Sequence, residues 1–459
     1  MRDKIKKALA QAGADYADVR IERTSSSLVI YRGRNLENAE ASTSVGGIVR
    51  CLVGGGWGYA SFNALDDLAE QVQEAARVAK AVNARVGGKI QLAPVEPVED
   101  EVGVPMYLDP RTVPLASKQK LAKKYNDIML GAGKKIADTQ TRVGDVVAEV
   151  TFANSEGTYI NQEKADTVLG LMAFAQEDGG QIFRGLESHG WCAGFEAAQA
   201  REELAVIAAG RALALLKAKP AKGGKFTVIM DPIHAGVFVH EAFGHLCEAD
   251  NLAKMPRLKE TLKLGRRFGG EHLNIIDGGN LPSLRGNTKY DDEGTPRRSV
   301  YLIRNGILEG FMHNRETAAS MGARPTGNAR ALNYHFQPIV RMRHTYIDRG
   351  TATFDQMLKG IDYGVYACGS FGGETDVEQF TFSATYGYEI VNGQLGDMLR
   401  DVSLSGNVFE TLANIEMIGD DLEIHGSAGG CGRAGQMPLP LTDGSPHIRV
   451  RDVVVGGKA

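Results

Sequence analysis

The stretch His240-Glu241-Ala242-Phe243-Gly244-His245 constrains this chain more than any other. Two imidazoles and a carboxylate fall within six residues, in what reads as a helix. Asp231 can cap that helix, and Pro232 suits its first turn, where a missing N–H costs nothing. Val237, Phe238 and Val239 give it an apolar approach. In a regular α-helix a four-residue step leaves two side chains about 40° apart, but a five-residue step leaves about 140°. The two rings would then point to different places. A π-type turn, bonded i→i+5, would bring them back together, and such turns favour functional sites. Gly244 lies where that distortion falls and has no side chain to resist it.

Two convergent imidazoles beside a free carboxylate predict a metal centre. The logic is that of His-Glu-x-x-His, in which the histidines hold zinc and the glutamate is the general base. A catalytic zinc usually has three protein ligands and an open position. Two local residues could supply the third. Cys247 is seven residues from His240 and on the same helical face, and Glu248 is three residues from His245. Cys247 could equally be a small buried residue and Glu248 a surface charge. A distant candidate is Cys431, in Gly426-Ser427-Ala428-Gly429-Gly430-Cys431-Gly432. Four glycines there let backbone and sulfur approach a ligand closely, which ranks it first on chemistry.

The chain has 459 residues, enough for two or three domains with sizeable cores. A net charge of −4 and the lack of a basic run argue against nucleic-acid binding. No apolar run approaches the roughly 20 residues of a membrane span, and the N-terminus has no signal-peptide core. Cys51, Cys192, Cys247, Cys368 and Cys431 are scattered with no CxxC pair, which suits a reducing cytoplasm.

Periodicity predicts an α+β protein of two domains. Residues 1–220 read as an N-terminal α/β domain with an antiparallel-rich sheet and flanking helices. Residues 225–459 read as a β-rich C-terminal domain that carries the metal-binding helix. In the first, short β-like runs follow one another from Tyr16 to Phe62 and from Ile136 to Gly190, with helices at 3–11, 64–82, 117–130 and 202–217. The two runs share strands, a Gly-Trp pair and a following helix, which points to an internal duplication around 16–83 and 136–217. Residues 93–114 hold five prolines and read as a loop without regular structure. Lys219–Lys225 reads as the boundary, and Phe226–Met230 as a buried strand leading into the His240 helix. Asn305-Gly306 and Asn392-Gly393 predict hairpins with type I′ turns.

The HEAFGH helix, Asp291-Asp292-Glu293-Gly294, Gly327-Asn328-Ala329-Arg330, Gly372-Gly373, and the terminal GCGRAGQ run through DVVVGG together resemble the TldD/PmbA family of cytosolic metallopeptidases, historically labelled modulators of DNA gyrase. The resemblance covers nearly the whole chain. The His-Glu-x-x-x-His motif marks it as similar to the TldD type. The resemblance implies His240, His245 and Cys431 as ligands of one zinc ion and Glu241 as the base. It also implies unfolded or disordered peptides as substrates, and a second copy or a PmbA/TldE-type subunit as partner. Asp292, Arg330, Gly372 and Gly373 become candidates for the substrate cleft. Glu374-Thr375-Asp376 departs from the Gln-Val-Asp expected of the TldD type.

The expected chemistry is zinc-assisted peptide hydrolysis, with Glu241 taking a proton from water and delivering it to the leaving amine. The alternative is a non-catalytic peptide- or partner-binding subunit with a structural metal. A DNA-associated regulator is disfavoured by the charge balance. A zinc nucleoside deaminase is disfavoured by the absence of a PCxxC partner motif.

Overall fold

The computed structural model describes residues 1–456 apart from Gly87, Ala253 and Val377. The chain begins with α1 (Arg2–Ala10), followed by an antiparallel meander of β1 (Tyr16–Arg32), β2 (Asn35–Val53) and β3 (Gly56–Phe62). The separate apolar runs at Val19–Ile21 and Leu28–Ile30 are parts of one 17-residue strand. After α2 (Leu68–Val86) comes the proline-rich segment. It is not wholly irregular, because β4 (Glu99–Val102) within it pairs in parallel with a later strand. Sequence periodicity could not reveal that partner, which lies about sixty residues on.

The plan then recurs: α3 (Leu115–Gly131), the meander β5 (Ile136–Asn154), β6 (Tyr159–Ala175) and β7 (Phe183–Trp191), and α4 (Glu202–Leu215). β1 pairs antiparallel with β5, in the register Asp18↔Asn154 to Arg32↔Gln140. Both runs thereby join one seven-stranded sheet, ordered β3-β2-β1-β5-β6-β4 with β7 also on β6. The Gly-Trp pairs are not equivalent, since Trp57 opens β3 and Trp191 closes β7. The packing is what recurs. A β-carbon on Gly58 would overlap the Ala75 carbonyl of α2, and one on Gly185 would overlap the Ala208 carbonyl of α4.

Alternation along β1 divides the sheet into two faces. Val19, Ile21 and Val29 point to the helices and join their cores. Arg20, Glu22, Thr24 and Ser26 point the other way, toward the second half of the chain. Buried ion pairs cross that boundary. Arg50, held by Asp18 of the neighbouring strand at 2.5 Å, binds Glu293 across the boundary at 3.0 Å, Lys164 binds Asp292 at 2.7 Å, and Arg285 binds Asp166 at 2.6 Å. The acidic run 291–293, which composition alone would leave in solvent, is buried: Lys164 pairs with Asp292 and Arg50 with Glu293, while Asp291 accepts from the backbone N–H groups of Glu293, Thr295 and Ala329.

The second half is built on a ten-stranded sheet and a six-stranded sheet. The strand Gly224–Met230 runs between Ile448–Gly456, antiparallel, and Tyr363–Cys368, parallel. It is therefore central, and its last three residues are fully buried. The chain turns directly from it into α5 (Pro232–Val239). Phe238 of α5 packs edge-on against Phe380 and Phe382 of the larger sheet. Gly236 lies against the backbone of Gly444 in the smaller one. α5 is thus clamped between layers. Asn305-Gly306 and Asn392-Gly393 both adopt positive φ in two-residue hairpin turns, as their sequence predicts.

Candidate metal centre

Asp231 caps α5, its carboxylate accepting from the His234 N–H at 2.7 Å, and Pro232 occupies the first turn. The helix stays regular only to Val239. Residues His240–Gly244 form a π-turn, and His245–Cys247 tighten into a 3₁₀ turn. The five-residue spacing is thereby resolved, and the two imidazole centroids stand 5.1 Å apart. Gly244 is required for a reason the local sequence does not show. A β-carbon there would collide with the Met342 sulfur.

Cys431 comes from a hairpin of Cys431–Arg433 and Gln436–Leu439 that reaches over the π-turn. Its sulfur lies 3.2 Å from His245 Nε2, and one donor atom from each of His240, His245 and Cys431 falls within 4.8 Å of the others. Zinc bonds of about 2.3 Å to sulfur and 2.0–2.1 Å to nitrogen place tetrahedral neighbours about 3.6 Å apart. The donors therefore match a zinc site in type and spacing. The Glu241 carboxylate stands beside the cluster, 3.9 Å from His240 Nε2 and 3.8 Å from His245 Nε2, with its side chain 28% exposed.

Electrostatics separate the two nearby thiols. Burial would raise Cys431, but hydrogen bonds and charge from His240 and His245 outweigh it and bring the thiol down to about 5. Burial, and then the charge of Glu248, push Cys247 well up, so it stays a thiol in the core. Glu248 lies outside the cluster of His240, His245 and Cys431 and is not a surface charge. It is 0% exposed and accepts from His245 Nδ1 at 2.9 Å, leaving Nε2 to face Cys431. Burial works against its charge, yet His245, Arg433 and Arg341 hold it below the ordinary carboxylate range. A carboxylate behind a ligand histidine fixes its tautomer and ring orientation. The His245–Glu248 spacing of three residues is the one signal of this in the sequence.

The remaining candidates lie elsewhere. Asp292 and Arg330 line a cleft of about 580 Å³ between the seven-stranded sheet and the second half. His240, Glu241, His245 and Cys431 are not among its lining residues. The polar groups of both are engaged internally. Asp292 accepts from Lys164 at 2.7 Å and from the Ala331 N–H at 2.8 Å. Arg330 donates to the carbonyls of Met342 and Pro440, both at 2.6 Å. Gly372 and Gly373 lead into Gly373–Asp376, an edge strand of the ten-stranded sheet that packs against the π-turn.

A His₂Cys cluster with an adjoining carboxylate, borne on a distorted helix of an α+β fold, defines a candidate catalytic metal protein. The sequence matches three family domains: PmbA/TldA metallopeptidase domain 1 over residues 17–82, the central domain over 108–216, and the C-terminal domain over 223–457. A metalloprotease of Synechocystis is 42% identical over 98% of this chain and 96% of its own length. One from Methanocaldococcus jannaschii is 34% identical over 97% and 98%. TldE from Thermococcus kodakarensis shares the fold, with a TM-score of 0.77 over the whole of both chains at 18% identity. The chain belongs to the PmbA/TldD family of metallopeptidases. Among the described residues no helix is long and apolar enough to cross a membrane.

Proposed function

We propose that this metallopeptidase is zinc-dependent and cleaves unfolded or disordered peptides, with Glu241 as general base. The observation that carries this is the Glu241 carboxylate, within 4 Å of both ligand-candidate imidazoles yet outside the cluster and partly open to solvent. A structural metal site has no need of such a group, and a hydrolase does. His240, His245 and Cys431 would hold the ion. When bound, zinc supplies Lewis acidity that acidifies water and polarises a carbonyl. Glu241 would accept the water proton and return it to the leaving amine. Among the described residues, the edge strand Gly373–Asp376 pairs on one side alone and would leave its other side to an extended substrate, a mode that tolerates varied sequences.

Family membership and the reducing environment suited to five buried, unpaired cysteines support a cytoplasmic enzyme. It would work in an oligomer with a second copy or a PmbA/TldE-type subunit. The test is cleavage of an unfolded protein by zinc-loaded and chelator-treated enzyme, beside Glu241→Ala. Cleavage by the zinc-loaded enzyme, and its loss on chelation and in Glu241→Ala, are expected. Retained cleavage in Glu241→Ala overturns the base assignment, and metal uptake without any cleavage would favour a peptide-binding subunit.

A further inference from the structure

Among the described residues, the two strands of the Cys431 hairpin pair only with each other. No sheet ladder therefore sets where Cys431 stands relative to His245, and side chains must do so. Arg433, on the same short strand as Cys431, makes the densest set of contacts. Its Nη1 donates to the Val340 carbonyl at 2.6 Å. Its Nη2 donates to Asp250 Oδ1 at 2.8 Å and to Asn251 Oδ1 at 2.5 Å. Its Nε lies 3.3 Å from Glu248 Oε2. That same oxygen accepts from His245 Nδ1. One buried oxygen atom thus joins the hairpin of one candidate ligand to the ring of another.

We propose that Arg433 is a positioning residue of the metal centre. It holds the Cys431 hairpin against the carboxylate that aims His245, and so sets the spacing of two ligands without being one. The proposal rests on the reading of His240, His245 and Cys431 as metal ligands. Lysine cannot replace it, because a point charge on a flexible stem cannot span acceptors arranged around a planar fork. Arg341 assists from below by donating to the Cys431 carbonyl at 2.9 Å, but it does not touch Glu248 through any hydrogen bond in the structure.

The test uses the full-length protein stripped of metal and titrated with Co²⁺. It reads affinity, the cobalt–thiolate charge-transfer band and the visible ligand-field bands, with the melting temperature of the metal-free protein taken in parallel. Arg433→Met is expected to weaken Co²⁺ binding about 10–100-fold, the range for loss of an outer-shell partner, and to reduce the thiolate band at saturation. Arg433→Lys should share the altered spectrum despite keeping the charge. Asp250→Asn weakens one Arg433 contact without a hydrogen bond to His245 or Glu248 being lost, and should weaken binding by less, which keeps the test valid if Arg433→Met does not fold. A hairpin-docking role alone would lower the melting temperature and leave affinity and band intensity at wild-type values, and that result overturns the proposal. A wild type that takes up no Co²⁺ would instead overturn the ligand assignment beneath it.

Discussion

Replacing Gly244 by alanine tests why the π-turn contains a glycine. Alanine is favoured over glycine in a helical turn by about 1 kcal/mol, so backbone propensity alone expects a small gain in stability. Packing expects the opposite. A β-carbon at Gly244 would lie 2.1 Å from Met342 Sδ and 3.3 Å from its Cε. Ordinary non-bonded separations are about 3.5–4.0 Å, so one group must move by roughly 1.5 Å. Met342 is 1% exposed within the main core, so its thioether can shift only against packed neighbours. Overpacking of this kind costs about 1–3 kcal/mol, which outweighs the propensity gain. The strain also falls on the residue next to His245. The assay is urea unfolding of the metal-free protein, so that ligand binding does not contribute. Gly244→Ala should lose about 1–3 kcal/mol and Met342→Ala about 2–5 kcal/mol. The double variant should lose at least about 1 kcal/mol less than their sum, because the new methyl occupies space that the sulfur vacates. A stabilised Gly244→Ala, or strictly additive losses, would refute the packing argument.

His313 is buried, and burial pulls it from 6.5 to about 4. Between those values the unfolded chain binds a proton that the folded chain does not, so stability falls as pH drops through that window, by up to about 3 kcal/mol. His313→Gln should flatten this dependence in denaturation series run from pH 7 to 4, and an unchanged slope would contradict it. Arg50→Met leaves Asp18 and Glu293 buried without their cation, which should cost about 3–5 kcal/mol in unfolding measurements. It should also speed proteolysis between the seven-stranded sheet and the second half. A loss under about 1 kcal/mol would show that the pair is not needed to join them.

What the sequence discloses follows the range of the physics involved. The Asp231 cap, the Pro232 first turn and the two Asn-Gly hairpins are settled by neighbouring residues, and they are legible. The π-turn is legible because five-residue spacing leaves few ways for two rings to meet. Gly244 is noticed for its freedom, but its cause is Met342, nearly a hundred positions away. Glu248, read as a ligand or a surface charge, is buried against His245, since two of the groups that hold its charge there, Arg433 and Arg341, come from far along the chain. Asp292 and Glu293 look solvated until Lys164, Arg20 and Arg50 are brought to them by the first sheet. β4 is hidden because its pairing is parallel and distant.

The convergence of His240, His245 and Cys431 on one divalent ion is tested most directly by X-ray absorption at the zinc edge of the loaded protein. One sulfur neighbour at about 2.3 Å and nitrogen neighbours at about 2.0–2.1 Å are expected, with the sulfur lost in Cys431→Ser. A wild-type spectrum without sulfur, or one that Cys431→Ser leaves unaltered, would contradict the site described above.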